Sequence, residues 1–492
     1  MSQSPTPLLD RIAAWTPPKK TAALAAASGL MYPLAVPPWG LVFTGFLQVA
    51  LLVVALADQP WRRVFTAAWL SGTICQLCIY WWLIDTVVIF GNLPWAVAAI
   101  VYLLYGIGHG LFMALSALSA HLLMRRGLSS VEGWPLGYVA VHLFIPQLFP
   151  FYLGVEFYTL DSWRPAPPDV RVMAAIVCLA GAVTGELLRL RGRLTAEFPV
   201  PRIAGWAVAF ALLILLSWPR TDDPDARTLR VAIAQTDFDL KYALKTGDTQ
   251  RRFDKIVEMY QSAVDDGAEL VVFSESTLPF PFLIEGQNAP ADRMWGARMT
   301  RTLSGIIQKT GVPMIASGVG VEGQRLTNRA FLIEPGPDGR VKVQHYDKRR
   351  LLWFGEYVPL RNWWPKADVL FQGVAQFDKG PGPVIWDWNG RRIIPSICYE
   401  AILPVFTRSI IPPGGGIDLF INLTNDKWFG LTPEKEQHLM LATWRSAETG
   451  IPMIRATLDG TSAVIDGRGR IIFRSKPGEA GVYLVDVPVR AR

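Results

Sequence analysis

The chain is poor in charge, histidine and cysteine. Of 492 residues, 18% are charged, five are histidine and four are cysteine. The histidines are scattered and no Cys/His cluster exists, which excludes the ligand spacing of a structural zinc site. No metal and no other cofactor is expected. Cys75, Cys78 and Cys178 lie in hydrophobic segments. Cys398 is therefore alone in the polar half, which excludes an internal disulfide there. Gly414-Gly415-Gly416 lacks the lysine and helix of a phosphate-cradling loop. The net charge of +7 does not call for nucleic acid, because much of it falls in short loops between hydrophobic segments.

What the chain has in abundance is apolar sequence. Half of it is hydrophobic and its mean hydropathy is +0.26, unlike a soluble enzyme. The excess lies before residue 220. Length suggests two or three domains, and the division expected is a cytoplasmic N-terminus at 1–21, a transmembrane bundle at 22–219, a polar linker at 220–228 and a second domain at 229–492. Each span needs about 20 apolar residues. Seven are expected near 22–37, 38–57, 64–88, 95–124, 134–154, 170–190 and 203–219. The N-terminal stretch does not read as a cleavable signal, because too many long spans follow it. Cations gather in alternate loops: Arg11, Lys19 and Lys20, then Arg62 and Arg63, then Arg125 and Arg126, then Arg189, Arg191 and Arg193. Positive charge stays cytoplasmic, so an odd span count delivers residues 229–492 to the outer side. Cys75-Gln76-Leu77-Cys78 has redox-motif spacing but sits in an apolar span and reads as helix packing. His109, His121 and His142 read first as neutral helix-packing groups.

The polar half alternates strand and helix, then turns to hairpins. Strands are expected at 229–235, at 271–275, at 313–320, 329–334 and 341–346, before Cys398, at 418–423, and at 452–457, 462–466 and 470–474. Helices are expected at 249–266, 292–310 and 433–449. This predicts an α/β layer architecture whose apolar strands are buried on both faces. Val271-Val272-Phe273-Ser274-Glu275 ends in a carboxylate, and Ile393-Ile394-Pro395-Ser396-Ile397-Cys398 ends in a thiol. Tyr346-Asp347-Lys348 adds a cation. A thiol is strongly nucleophilic only as thiolate. Glu275 offers a general base. Lys348 and the N–H of Tyr399 offer donors for a developing oxyanion, and the product would be a thioester.

These stretches resemble the Glu-Lys-Cys triad of the nitrilase superfamily, and most closely its membrane-embedded branch, the apolipoprotein N-acyltransferases. Tyr346-Asp347-Lys348 with Phe354-Gly355-Glu356-Tyr357-Val358-Pro359-Leu360 resembles that family's YNK and FGEYVPL signature. Ile397-Cys398-Tyr399-Glu400 resembles ICYE. Asn425-Asp426-Lys427-Trp428-Phe429-Gly430 resembles NDAWFG. His438, Arg445 and Glu448 resemble its following helix, and Arg455 to Gly460 its RSTNNG stretch. The likeness implies a polytopic helical membrane domain followed by a nitrilase-like αββα sandwich. It implies Glu275 as base, Lys348 as oxyanion stabiliser and Cys398 as nucleophile. Glu356 would position the triad, with Asn328, Tyr399, Glu400, Trp428 and Glu448 supporting the site or its mobile arms. It further implies a phospholipid acyl donor, phosphatidylethanolamine, and diacylglyceryl-cysteine lipoproteins as acceptors. The expected setting is a monomer embedded in inner-membrane lipid with its catalytic domain in the periplasm.

The sequence departs from the family at several points. Ser274 stands where Pro commonly precedes the glutamate, Trp353 replaces the Pro before FGEY, and Leu458-Asp459 replaces an Asn-Asn pair. No closing span is read after Tyr483 to Arg490, where the family usually returns to the membrane. Two other readings stay open at this point: a membrane-tethered amidase using water, and an envelope assembly or secretion factor that binds without catalysis.

Overall fold

A computed structural model describes residues 13–89, 91, 93–159, 169–190, 200–217, 227–239, 246–284, 294–358 and 376–489. Arg11, Arg191, Arg193, Pro359, Leu360 and most of the 220–228 linker lie outside the described residues. The chain divides into two compact units. One holds residues up to 218 except 85–93, and the other holds 85–93 with 219–492.

The first unit is helical. Its helices are α1 (Lys19–Ala35), α2 (Gly45–Leu56), α3 (Trp61–Ile79), α4 (Leu83–Ile89), whose residues from 85 belong to the second unit, α5 (Trp95–Arg125), α6 (Ser130–Phe144), α7 (Val170–Arg189) and α8 (Val200–Ser217). By length and composition α5 and α7 can each cross a membrane, and α3 with α4 forms a bent pair that passes the same test. These apolar helices are those of a membrane protein. The expected fifth segment is cut short: α6 ends at Phe144 and a 3₁₀ turn occupies Val155–Thr159.

Close packing in this unit rests on small residues, as interfaces between apolar helices require. Gly181 and Gly185 face α2 from successive turns of α7. An added Cβ would meet the Phe46 carbonyl oxygen at 2.6 Å and Val53 Cβ at 2.6 Å. Gly72 and Gly110 do the same for α3 and α5: a Cβ on Gly72 would meet the Gly110 carbonyl oxygen at 2.5 Å. Cys75 is buried, Cys78 is exposed, and the two are not bonded. His142 Nδ1 meets the Tyr138 carbonyl of its own helix at 2.9 Å.

The second unit is a four-layer αββα sandwich. Its strands are β1 (Arg227–Gln235), β2 (Leu270–Phe273), β3 (Met314–Glu322), β4 (Arg325–Pro335), β5 (Val341–Asp347), β6 (Trp386–Trp388), β7 (Arg391–Ile397), β8 (Leu419–Thr424), β9 (Met453–Thr457), β10 (Ala463–Ile465), β11 (Ile471–Arg474) and β12 (Gly481–Val489). Its helices are α9 (Thr246–Asp265), α10 (Met294–Thr310), α11 (Pro404–Ile410) and α12 (Glu434–Thr449). The strand orders are β12-β1-β2-β3-β4-β5 and β11-β10-β9-β8-β7-β6. The pairs β1/β2, β2/β3, β7/β8 and β8/β9 are parallel and the others antiparallel.

Strand side chains alternate between faces, and here both faces are buried. Val231, Ile233, Val272 and Ile315 of the first sheet meet Ile393, Ile397, Leu423 and Ile454 of the second in a central core. The alternate residues, including Ala232, Val271 and Phe273, face Ile256 and Tyr260 of α9 and Leu303 and Ile307 of α10. On the far side Ile394, Phe420 and Met453 face Phe406 of α11 and Leu439 of α12. This two-sided burial is why the strands read as unbroken apolar runs.

Candidate active site

The predicted triad converges at the carboxyl ends of three strands, β2 and β5 of the first sheet and β7 of the second, where α/β folds expose loops. Glu275 lies two residues past β2. Cys398 follows β7 and opens a 3₁₀ turn, Cys398–Ile402. Lys348 follows β5, with its N–H donating to the Asn328 carbonyl at 2.9 Å. All three side chains are buried, at 3%, 5% and 1% exposure respectively.

Four polar groups form one hydrogen-bonded cluster. Asn328 Nδ2 donates to Glu275 Oε1 at 2.7 Å and to Glu356 Oε1 at 2.8 Å. Lys348 Nζ donates to Glu356 Oε1 at 2.9 Å and to Glu275 Oε1 at 3.4 Å. Glu356 Oε2 accepts from the Leu352 N–H at 2.9 Å, which closes its own loop. The bidentate Arg329–Asp347 pair, at 2.6 and 2.9 Å, fixes the residue just before Lys348. So a single amide and a single ammonium hold two carboxylates side by side.

Burial and these neighbours set the ionisation. Burial raises the Glu275 carboxyl, Lys348 opposes that, and Glu356 adds to it; the net direction is upward. Burial alone would lower Lys348, but Glu275 and Glu356 outweigh it and hold the ammonium above its usual range. Burial pushes the Cys398 thiol up, Glu275 pushes it further, and Lys348 only partly offsets them. The resting thiol is therefore protonated and needs a base, which a carboxyl raised toward neutrality can be.

The backbone is strained at this place. Among the described residues, six non-glycine positions have left-handed φ. Three of these are Ser276 (58°), Phe354 (58°) and Cys398 (50°). Each lies at or within two residues of a site side chain, and each costs about 1 kcal/mol or more relative to ordinary backbone. The left-handed Cys398 makes an elbow that ends β7 and starts the 3₁₀ turn.

The supporting residues divide. Glu400 is fully buried and joins the two loops that carry Lys348 and Cys398. Its Oε1 accepts from Tyr346 Oη at 2.8 Å, Arg349 N at 2.8 Å and Arg350 N at 3.0 Å, and its Oε2 accepts from Ile397 N at 2.9 Å. Tyr399 packs half-buried on the central core. Glu448 lies 3.0 Å from Arg445, and Arg445 Nη1 donates to the Ile402 carbonyl at 3.2 Å, bracing the elbow from behind. Trp428 is half-buried in the 3₁₀ turn Asp426–Phe429.

A second buried polar group adjoins the elbow, and sequence reasoning assigned it no role. Asp426 accepts from Arg455 Nη2 at 3.2 and 3.0 Å and meets His438 Nδ1 at 2.9 Å. Burial would raise Asp426, but Arg455 and His438 hold it down to about 2. Burial lowers His438, which favours a neutral ring. Asp426, Glu434 and His438 offer donor atoms within 4.8 Å of one another. Arg455 and Lys435, the latter paired with Asp459 at 2.6 Å, already supply the cationic charge there. The available signal was a polar residue inside an apolar strand: Asn422 in Phe420 to Leu423, and Arg455 in Met453 to Ala456.

The chain is similar to known proteins over nearly its whole length. The carbon-nitrogen hydrolase family matches residues 230–491, and the apolipoprotein N-acyltransferase N-terminal domain matches residues 28–162. An apolipoprotein N-acyltransferase of Geobacter metallireducens is 27% identical over 466 residues, covering 92% of this chain and 87% of that one. One from Caulobacter vibrioides is 29% identical over 502 residues, covering 95% and 88%. Among solved structures, an amidase from Nesterenkonia sp. is similar at 23% identity, covering 53% of this chain and 90% of that chain with a TM-score of 0.39.

Proposed function

This chain belongs to the carbon-nitrogen hydrolase family, in its apolipoprotein N-acyltransferase branch, and on that premise we propose that it moves a fatty acyl chain from a phospholipid, through a Cys398 thioester, to the α-amino group of a lipoprotein's diacylglyceryl-cysteine. The observation that carries this reading is a buried thiol on a strained elbow, beside a buried carboxyl and a buried ammonium, in a chain that relatives of that name match over nine-tenths of its length.

In the first half-reaction Glu275 takes the Cys398 proton, and the thiolate attacks the ester carbonyl of the donor. Lys348, held charged by its two carboxylates, stabilises the tetrahedral oxyanion. The carbon–oxygen bond breaks, the lysophospholipid alkoxide takes the proton back from Glu275, and the acyl group stays on sulfur. In the second half the acceptor amine attacks the thioester and gives its proton to Glu275. The carbon–sulfur bond breaks and the thiolate recovers that proton. Asn328 donates to Glu275 and to Glu356, and Glu356 accepts from Lys348, so the two position the charged pair. Glu400 holds the two loops together, while Tyr399, Trp428 and Glu448 brace the elbow and its rim.

The same reading makes the chain a monomeric, multi-pass inner-membrane protein with about seven spans. Its domain at 229–492 faces the periplasm, and phosphatidylethanolamine is the donor. The cation-rich alternate loops support the orientation. A water-using amidase would have no use for the helical unit, and a binding-only factor would not need the buried ion cluster.

Intact mass measurement on detergent-purified protein mixed with phosphatidylethanolamine tests it, with Cys398→Ser as control. We expect a fatty-acyl increment that hydroxylamine removes and that the variant lacks. A folded wild-type protein that gains no mass overturns the proposal.

A further inference from the structure

Three polar side chains form a row across the second sheet. Parallel register sets Ser396 of β7 opposite Asn422 of β8, and Asn422 opposite Arg455 of β9. Residues opposite one another in a sheet share a face. Asn422 and Arg455 are both fully buried, in strands otherwise rich in Ile, Leu, Phe and Met. A buried guanidinium is costly unless it is paired and bonded, and here it is both. Nη2 donates to both oxygens of Asp426, while Nη1 donates to Asn422 Oδ1 at 2.7 Å. With Oδ1 taken, the amide orientation follows: Asn422 Nδ2 donates to Ser396 Oγ at 3.3 Å and to the Cys398 carbonyl at 3.4 Å. Cys398 is the elbow residue at φ 50°.

We propose that Arg455 and Asn422 are a positioning pair for the nucleophile. The guanidinium orients the carboxamide, and the carboxamide holds the Cys398 carbonyl so that the left-handed elbow keeps its aim. Asp426 is the counter-charge that lets Arg455 stay buried, and His438 of α12 fixes Asp426. All four act through Cys398 and are positioning residues. The inference rests on Cys398 being the nucleophile of the proposed reaction.

The test uses the full-length protein in detergent, with Asn422→Leu, Arg455→Met, their double variant and Arg455→Lys. Two quantities are read per folded molecule: kcat and KM for acyl transfer, and the iodoacetamide alkylation rate of Cys398 located by peptide mass. A misaimed reacting group costs about a hundredfold, so each single variant is expected to lose about that in kcat and in alkylation, with KM within about twofold. The double variant is expected to lose no more than either single, because the two act as one unit. Lysine keeps the charge on Asp426 but not the fork that reaches Asn422. Arg455→Lys should therefore restore the melting temperature yet leave kcat and alkylation at the Arg455→Met level. It also carries the test if Arg455→Met fails to fold. Melting temperatures that fall while kcat and alkylation hold, or losses that simply multiply in the double variant, overturn the proposal. Alkylation needs no lipid. A wild type that transfers no acyl chain but shows the coupled alkylation loss sinks the proposed function and leaves this positioning role standing.

Discussion

Two buried glutamates close parallel strands of the two sheets, and they are held in opposite ways. Glu275 follows β2 and Glu400 follows the elbow after β7. Both are withdrawn from solvent, and burial raises both carboxyls. Glu400 has both oxygens filled by four donors from two chain segments. Glu275 receives two donors on Oε1, while Oε2 has no hydrogen-bond partner among the described residues. A fully bonded carboxylate is a bracket between loops. One with a bare oxygen beside a cation can accept a proton. Residue type and burial are the same in the two; the number of donors that the surrounding backbone delivers differs.

The largest effect should come from the open carboxyl. Glu275→Gln should lower acyl transfer by about 10²- to 10⁴-fold, the usual worth of a general base, and leave the melting temperature at or above wild type. For the wild type, kcat/KM measured against pH should fall on acidification with a midpoint above the ordinary carboxylate value of about 4.3. The sign follows from the raised Glu275 carboxyl, whose basic form is lost as pH drops through that raised value. An acid limb at or below the ordinary value would erase the distinction drawn between the two glutamates.

Breaking the bracket should be smaller in activity and larger in stability. Glu400→Gln turns one of its acceptors into a donor facing backbone N–H groups, which should destabilise the domain by about 1–3 kcal/mol. Chemical unfolding in detergent checks this. Transfer per folded molecule should fall less than for Glu275→Gln. The smallest effect should come from Tyr346→Phe, which removes one of the four donors and costs about 1 kcal/mol. Its kcat should remain close to wild type. If Tyr346→Phe instead matched Glu275→Gln in lost activity, Glu400 would be part of the chemistry and not a bracket.

Much of this was legible beforehand, for physical reasons that differ by element. Long two-sided strands such as β1 and β8 are continuous apolar runs, and α9, α10 and α12 carry helical periodicity, so their positions were readable within a few residues. Of the short elements, β2 and β10 were read, but β6 with three residues and α11 with seven were not, being too short for a period to show. β12 was missed because Asp486 and Pro488 interrupt its pattern, which an edge strand tolerates. Among the described residues it pairs with β1 alone. Glu275, Lys348 and Cys398 were readable as strand-end chemistry. Asn422 and Arg455 were not, since their value lies in cross-strand register, which a linear pattern does not contain.

The sequence by itself determined the division into apolar and polar halves, the layer type of the second, and which three strand ends carry a carboxylate, an ammonium and a thiol. Burial and periodicity are local properties of a chain, and residue chemistry comes with its identity. Only the tertiary structure decided which glutamate has a bare oxygen, which cation the two carboxylates share, and that Arg455 reaches the Cys398 elbow through Asn422. Those are matters of donor count and register between segments far apart in the chain, 73 residues from Glu275 to Lys348 and 33 from Asn422 to Arg455, and they exist only once the strands of each sheet have paired.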